Sequence, residues 1–145
     1  MRIDRTGHQE IDIRDECVDS HGADHRAQGR GYEKYAADYL QARGLRLITR
    51  NFQCRGGEID LIMSDNQSLV FVEVRYRRSS RFGSPAESVD FRKQRKLRHC
   101  ALNFMQQHGF ARKRSCRFDV VAITPRTPGP GLDVNWIVDA FQSVR

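Results

Sequence analysis

Two acidic residues, Asp60 and Glu73, fall where a tight hairpin would set their side chains against each other. EIDLIMS (58–64) and SLVFVEVRY (68–76) each read as a strand, with Asp65-Asn66-Gln67 as the turn between them. If Asn66-Gln67 make a two-residue turn, paired positions sum to 133, so Asp60 lies opposite Glu73 and Glu58 opposite Arg75. Period-two alternation then collects Glu58, Asp60, Ile62, Phe71, Glu73 and Arg75 on one face. It leaves Ile59, Leu61, Met63, Val70, Val72 and Val74 on a wholly apolar second face. Directly opposed residues have Cβ atoms about 4.5–5.5 Å apart, where like charges repel. Two carboxylates so placed need a cation or a shared proton. Two arrangements meet that need. A divalent ion accepts one or two carboxylates, fills its other positions with water and phosphate oxygens, and activates a water against a phosphodiester. Alternatively, Arg75 and Arg77 neutralise the pair within a structural salt-bridge network.

Around the hairpin, from Ala27 onward, Tyr32, Tyr35, Ala36, Tyr39 and Leu40 recur at helical spacing, and Gly44 sits where a C-terminal cap belongs. LRLITRNF (45–52) alternates as a strand, and CRGG (54–57) is a turn. After the hairpin, Arg77 to Gly83 is a basic loop. Ser84-Pro85-Ala86-Glu87 is a capping box with proline at the first helical position, which predicts a helix from there to His108, ended by Gly109. Val89, Leu97, Ala101, Phe104 and Met105 would face the core, with Asp90 as a point of kink or restart. RFDVVAIT (117–124) is a further strand, and its Asp119, flanked by Phe118 and Val120, reads as a hydrogen-bonded structural acid. PRTPGPG (125–131) is a loop, and VNWIVDAF (134–141) closes the chain as an element of undetermined type. The order is α-β-β-β-α-β.

Charge is distributed unevenly. Residues 1–26 hold four Arg against seven acidic groups and read as a mobile acidic tail; residues 27–145 carry a net charge of +10 and read as one domain. Within the tail, Cys17, His21 and His25 have a spacing that supplies only three zinc ligands. The four cysteines are scattered without a CxxC pair and are expected as free thiols. No run approaches the roughly 18 apolar residues of a membrane span, and the charged N-terminus lacks the apolar stretch of a secretion signal, so the expected compartment is the cytoplasm. Three basic clusters stand out: Arg75-Arg77-Arg78-Arg81, Arg92-Lys93-Arg95-Lys96-Arg98 and Arg112-Lys113-Arg114-Arg117. Such runs often form only a solvated face. Three in one small domain, beside a carboxylate pair, point to phosphate contacts and a nucleic-acid partner. Tyr76 and Phe82 are placed either to stack on bases or to pack.

GEIDLI (57–62) followed by FVEVR (71–75), with GRGYEKYAADYL before them and RFDVVAI after, resembles the YraN-type family, itself similar to the PD-(D/E)xK nucleases that include the archaeal Holliday junction resolvases. The resemblance spans roughly residues 28–141. It implies an α/β fold with a restriction-endonuclease-like αβββαβ core, a mixed central sheet flanked by helices. It also implies Mg²⁺ or Mn²⁺ held by Asp60, Glu73 and the carbonyl of Val74, with the early-helix Glu33 assisting. Read from the residues, Glu33 borders the stripe of Ala36, Ala37 and Leu40 as a carboxylate at its edge. The sequence departs from the pattern at Arg75, where that superfamily carries a catalytic lysine. Arginine stays protonated, so it stabilises developing charge but accepts no proton. Three readings follow: a neutral exchange in an arginine-rich chain, an ammonium supplied instead by Lys93, or a weak or lost nuclease. The leading expectation is a metal-dependent endonuclease on DNA, with branched or single-stranded DNA among its candidate substrates. Asp60, Glu73, Arg75 and Glu33 would be catalytic, and Arg77, Arg78, Arg81, Arg92, Lys93, Gln94 and Lys96 would contact the strand. The alternatives are a non-catalytic DNA- or RNA-binding module on the same scaffold and an adaptor for an acidic protein. By analogy with the resolvases, a homodimer is also expected.

Overall fold

The computed structural model describes residues 24–78 and 89–142. The acidic segment 1–23 with Cys17 and His21, the Ser84–Glu87 capping box, Arg81 and Phe82 lie outside the described residues. Helix α1 (Asp24–Ala42) leads into strands β1 (Arg46–Cys54), β2 (Gly57–Ser64) and β3 (Ser68–Tyr76). Helix α2 (Phe91–Gln107), a 3₁₀ turn at Gly109–Ala111, and strands β4 (Ser115–Pro125) and β5 (Leu132–Phe141) follow. The five strands form one sheet in the order β1-β2-β3-β4-β5. β3 and β4 are parallel, joined through α2, and every other pair is antiparallel. The architecture is α/β, consistent with the restriction-endonuclease-like core expected from the sequence, and the undetermined last segment is an antiparallel edge strand.

The sheet has a hydrophobic cluster on each face. Tyr35, Ala36, Ala37 and Leu40 of α1 pack with Leu61, Met63, Val70, Val72, Val121 and Ile123. Leu97, Cys100, Ala101, Phe104 and Met105 of α2 pack with Ile59, Ile62, Phe71, Phe118 and Val120. The two helices therefore cover opposite faces. α1 ends as Gly44 predicted: Gly44 adopts φ +98°, its N–H donates to Gln41 O (3.1 Å), and the Leu45 N–H reaches Leu40 O (3.1 Å). That bond pattern satisfies the last carbonyls, and the buried pair Leu40 and Leu45 seals it.

Hairpin register follows the turn. Asp65 Oδ1 accepts the N–H groups of Gln67 (2.7 Å) and Ser68 (2.6 Å), and the pairs Leu61↔Val72, Ile62↔Phe71, Met63↔Val70 and Ser64↔Leu69 keep the expected sum. Those N–H bonds and Arg117 outweigh desolvation and hold the Asp65 carboxyl below its ordinary range.

Three expectations are corrected. Ile59 does not share the α1 face with Leu61 and Met63 but packs on the α2 side. The alternation breaks at the facing positions Asn51 and Asp60, between the pairs Arg50↔Leu61 and Phe52↔Ile59, where Asn51 has φ +51°. Asparagine tolerates that left-handed conformation, and the strand turns over there. Second, a helix running unbroken through Asp90 is excluded: α2 starts at Phe91, at the restart the sequence allows, with Asp90 an extended N-cap accepting the Lys93 N–H at 2.8 Å. Third, Cys54 and Cys100 form a disulfide, Cα–Cα 5.5 Å, while Cys116 keeps its thiol. The partners are 46 residues apart in sequence and meet because the tight turn at Gly56-Gly57 lies on α2, where a Cβ on Gly57 would come 3.2 Å from Cys100 Sγ.

Asp119 is the structural acid the sequence indicated. It is fully buried and accepts from Arg117 Nε (3.1 Å), Trp136 Nε1 (2.9 Å) and the Asp139 N–H (2.9 Å), tying β4 to β5. Asp119→Ala leaves the Trp136 indole and the Asp139 N–H without their acceptor and Arg117 with Asp65 alone, so stability should fall by about 3–5 kcal/mol. Urea denaturation checks this; a loss under about 1 kcal/mol would mean the cluster is dispensable.

Candidate functional site

Continued past Leu61↔Val72, the β2–β3 ladder would give the Val74 N–H to the Ile59 carbonyl. The paired register stops at Leu61, and the Val74 N–H instead donates to Asp60 Oδ2 at 2.9 Å. A side chain has replaced a backbone acceptor, and β2 turns over at that residue. In an antiparallel pair, a residue whose N–H faces the neighbouring strand turns its C=O the same way, so the Val74 carbonyl lies on the Asp60 side.

This pivot puts Asp60 within reach of both layers. On the α1 side, one carboxylate oxygen each from Glu33, Glu58 and Asp60 lie within 4.8 Å of one another. They line a cavity of about 550 Å³ together with Arg30, Asn51 and Gln53. On the α2 side, Glu73 is buried, and its Oε1 meets Arg75 Nε at 3.3 Å and Lys93 Nζ at 3.4 Å. The Asp90 cap fixes the first turn of α2 from which Lys93 reaches the site. The expected apposition of Asp60 and Glu73 holds. Glu58 departs from expectation: it belongs to the Glu33 cluster, on the opposite side of the sheet from Arg75. Strict alternation concealed it, and Asn51, which allows the strand to turn over, was the available signal.

The electrostatics do not balance. Glu73 is pushed up from 4.5 to about 7, chiefly by burial and then by the charge on Asp60, against the opposing pull of Lys93 and Arg75. Glu33 is likewise raised to about 7, by burial and the charges of Asp60 and Glu58. Glu73 Oε2 is buried without a protein donor, and Arg75 Nε is too poorly aligned on Oε1 to make a hydrogen bond. Among the described residues, the Arg75 and Lys93 pairs engage only Oε1 and leave Oε2 without a donor, and Arg77 is exposed. What remains is a shared proton or a cation. Four carboxylates and a carbonyl are hard oxygen donors that fit Mg²⁺ or Mn²⁺.

The basic residues divide. Arg77 and Arg78 follow β3 and are exposed, as are Arg92 and Lys96 on α2, and all are sequence neighbours of the site strand or of Lys93. Gln94 is engaged internally, donating to Val89 O (2.8 Å) and accepting from Arg98 Nη2 (3.2 Å). Arg114 donates to Asp65 O (2.8 Å) and Arg117 pairs with Asp65 and Asp119, so half of the third cluster fastens the hairpin turn, far along the strands from Asp60. Tyr76 stacks on Tyr32, ring centroids 4.2 Å apart and 8° from parallel.

The model of the uncharacterised protein family UPF0102 matches residues 32–123, a span that holds Glu33, Glu58, Asp60, Glu73 and Lys93. A UPF0102 protein of Stutzerimonas stutzeri is 52% identical over 118 residues, covering 81% of this chain and 97% of that protein. One from Nitrosococcus oceani is 51% identical over 121 residues (83% and 95%), and one from Serratia proteamaculans 49% over 119 (81% and 97%). Among the described residues no helix is long and apolar enough to cross a membrane.

A carboxyl whose folded value is raised favours folding most below its unfolded value and loses that contribution as pH rises. For Glu73 the window runs from 4.5 to about 7. In metal-free buffer, Glu73→Gln should therefore gain stability relative to wild type as pH climbs through that window. Urea midpoints measured across it test the claim, and a difference that stays flat with pH would contradict it.

Proposed function

The chain belongs to the uncharacterised protein family UPF0102, and we propose that it is a divalent-metal-dependent endonuclease acting on DNA in the cytoplasm. The observation that carries the reading is Asp60, which takes the Val74 N–H while sharing its charge with Glu33 and Glu58 on one side and Glu73 on the other. Asp60, Glu73 and the Val74 carbonyl would hold Mg²⁺ or Mn²⁺, with Glu33 assisting. When bound, the ion would supply charge stabilisation and lower the pKa of a water. Hydrolysis then forms one bond from a water oxygen to phosphorus and breaks one phosphorus–oxygen ester bond, whose leaving oxygen gains a proton. Lys93 supports this reading because its ammonium stands beside Glu73, where it could meet the negative charge that develops on the phosphoryl oxygens. Arg75, beside the same oxygen, adds charge and no proton acceptor. Arg77, Arg78, Arg92 and Lys96 provide phosphate contacts without sequence preference.

Arg75 also favours a second reading, a non-catalytic DNA- or RNA-binding module on this scaffold. One experiment separates the two: labelled single-stranded, duplex and four-way-junction DNA incubated with Mg²⁺, Mn²⁺ or EDTA. The nuclease predicts metal-dependent products, a loss in Asp60→Ala beyond the roughly 10- to 100-fold typical of outer-shell changes, and a fall of roughly 10²–10³ in Lys93→Ala. Salt-sensitive binding with no product on any substrate would establish the module, and cleavage unchanged in Asp60→Ala would remove the site from the hairpin.

A further inference from the structure

Tyr32 and Tyr76 stack on each other, and neither lines the carboxylate cavity. Each is the immediate sequence neighbour of a site residue: Tyr32 precedes Glu33 on α1, and Tyr76 follows Arg75 at the end of β3. Their rings lie nearly parallel at 4.2 Å, yet Tyr76 remains 37% exposed. Burial and a hydrogen bond with Tyr76 push the Tyr32 hydroxyl up to about 12, so that ring is neutral at any physiological pH. The charge of Arg78 acts on the same hydroxyl, which places a guanidinium beside the stack. Arg77 and Arg78 are exposed, and the Arg77 N–H is fixed to Ile123 O (3.0 Å), so the chain leaving Tyr76 is anchored.

A lone exposed ring must be immobilised when a ligand stacks on it. A ring already held flat by a second ring has met that cost, and it offers a polarisable surface with cations alongside. Every nucleobase has a complementary π-face, and that face is available only where neighbouring bases do not cover it. We propose that the outward face of Tyr76, backed by Tyr32, is a stacking platform for an unpaired nucleobase of a DNA strand whose phosphates lie over Arg77 and Arg78. The proposal deepens the nucleic-acid reading above and rests on it. It gives single-stranded or frayed DNA preference over continuous duplex.

The test is made in EDTA, so that no cleavage intervenes. The probe is a short oligothymidine carrying one 2-aminopurine, whose fluorescence is quenched when an aromatic ring stacks on it. Wild type and Tyr76→Phe should bind the single strand alike and quench the probe. Tyr76→Leu should bind it roughly 5- to 150-fold more weakly, the range for losing one base–aromatic stack, and leave it bright. Affinity for a duplex, set by phosphate contacts, should be the same in all three. Equal single-strand affinity in wild type and Tyr76→Leu, or an equal loss on the duplex, would overturn the proposal. Should Tyr76→Leu fail to fold, wild type decides alone: no quenching at any probe position overturns it. A protein that quenches the probe but never cuts DNA keeps the platform and loses the nuclease; one that cuts without quenching does the reverse.

Discussion

A β-ladder normally satisfies its own donors, and this one stops doing so at one residue. The Val74 N–H takes its acceptor from the Asp60 side chain, so β2 and β3 part at Asp60 while remaining tied through it. Asn51, facing Asp60 across β1, adopts the left-handed conformation that lets the strand turn over. Ile59 is thereby delivered to the α2 face and Leu61 to the α1 face, although they are two residues apart. A regular strand would confine Asp60 to one side of the sheet. At a pivot, it meets Glu33 and Glu58 from one layer and Glu73 from the other.

The rest of the fold holds that arrangement in place. Asp65 sets the hairpin register by accepting the N–H groups of Gln67 and Ser68, and Arg117 clamps Asp65 to the buried Asp119. A slip of one residue would exchange the faces of β3 and carry Glu73 away from α2. The Asp90 cap orients the first turn of α2, and the Gly44 cap ends α1 so that the following strand can return along the sheet. These are ordinary devices, each worth about 1 kcal/mol or so. The site they support is costly, because it gathers four carboxylates and offers Glu73 two cations, neither of which satisfies its second oxygen.

The parts of this design set by local chemistry were legible in the sequence. The order of elements, the register from Asn66-Gln67, the Gly44 stop, the apposition of Asp60 and Glu73, and the structural role of Asp119 all follow from turn chemistry and periodicity. The resemblance placed Glu33 at the site, and the structure brings it there. What escaped depends on departures from periodicity or on distant contacts. Alternation presumes an unbroken strand, so it put Glu58 with Arg75 and Ile59 with Leu61. Spacing rules for cysteine see only near neighbours, so Cys54–Cys100 was invisible. Asp90, a point of restart in the sequence, is the cap of α2 in the structure. Gln94, Arg114 and Arg117 counted toward a binding surface until their partners within the fold were known. Lys93 could be named as a substitute ammonium, but only packing of α2 on β3 puts it beside Glu73.

The central claim is that Asp60 joins carboxylates from two layers into a centre whose charge a bound cation would balance. Calorimetric titration with Mn²⁺ well above pH 7, where Glu33 and Glu73 are mostly ionised, tests it most directly. Asp60→Asn serves as the comparison, since it keeps an acceptor for the Val74 N–H. Saturable uptake by wild type that disappears in Asp60→Asn is the predicted result. No uptake by wild type, or uptake that survives in Asp60→Asn, would contradict it.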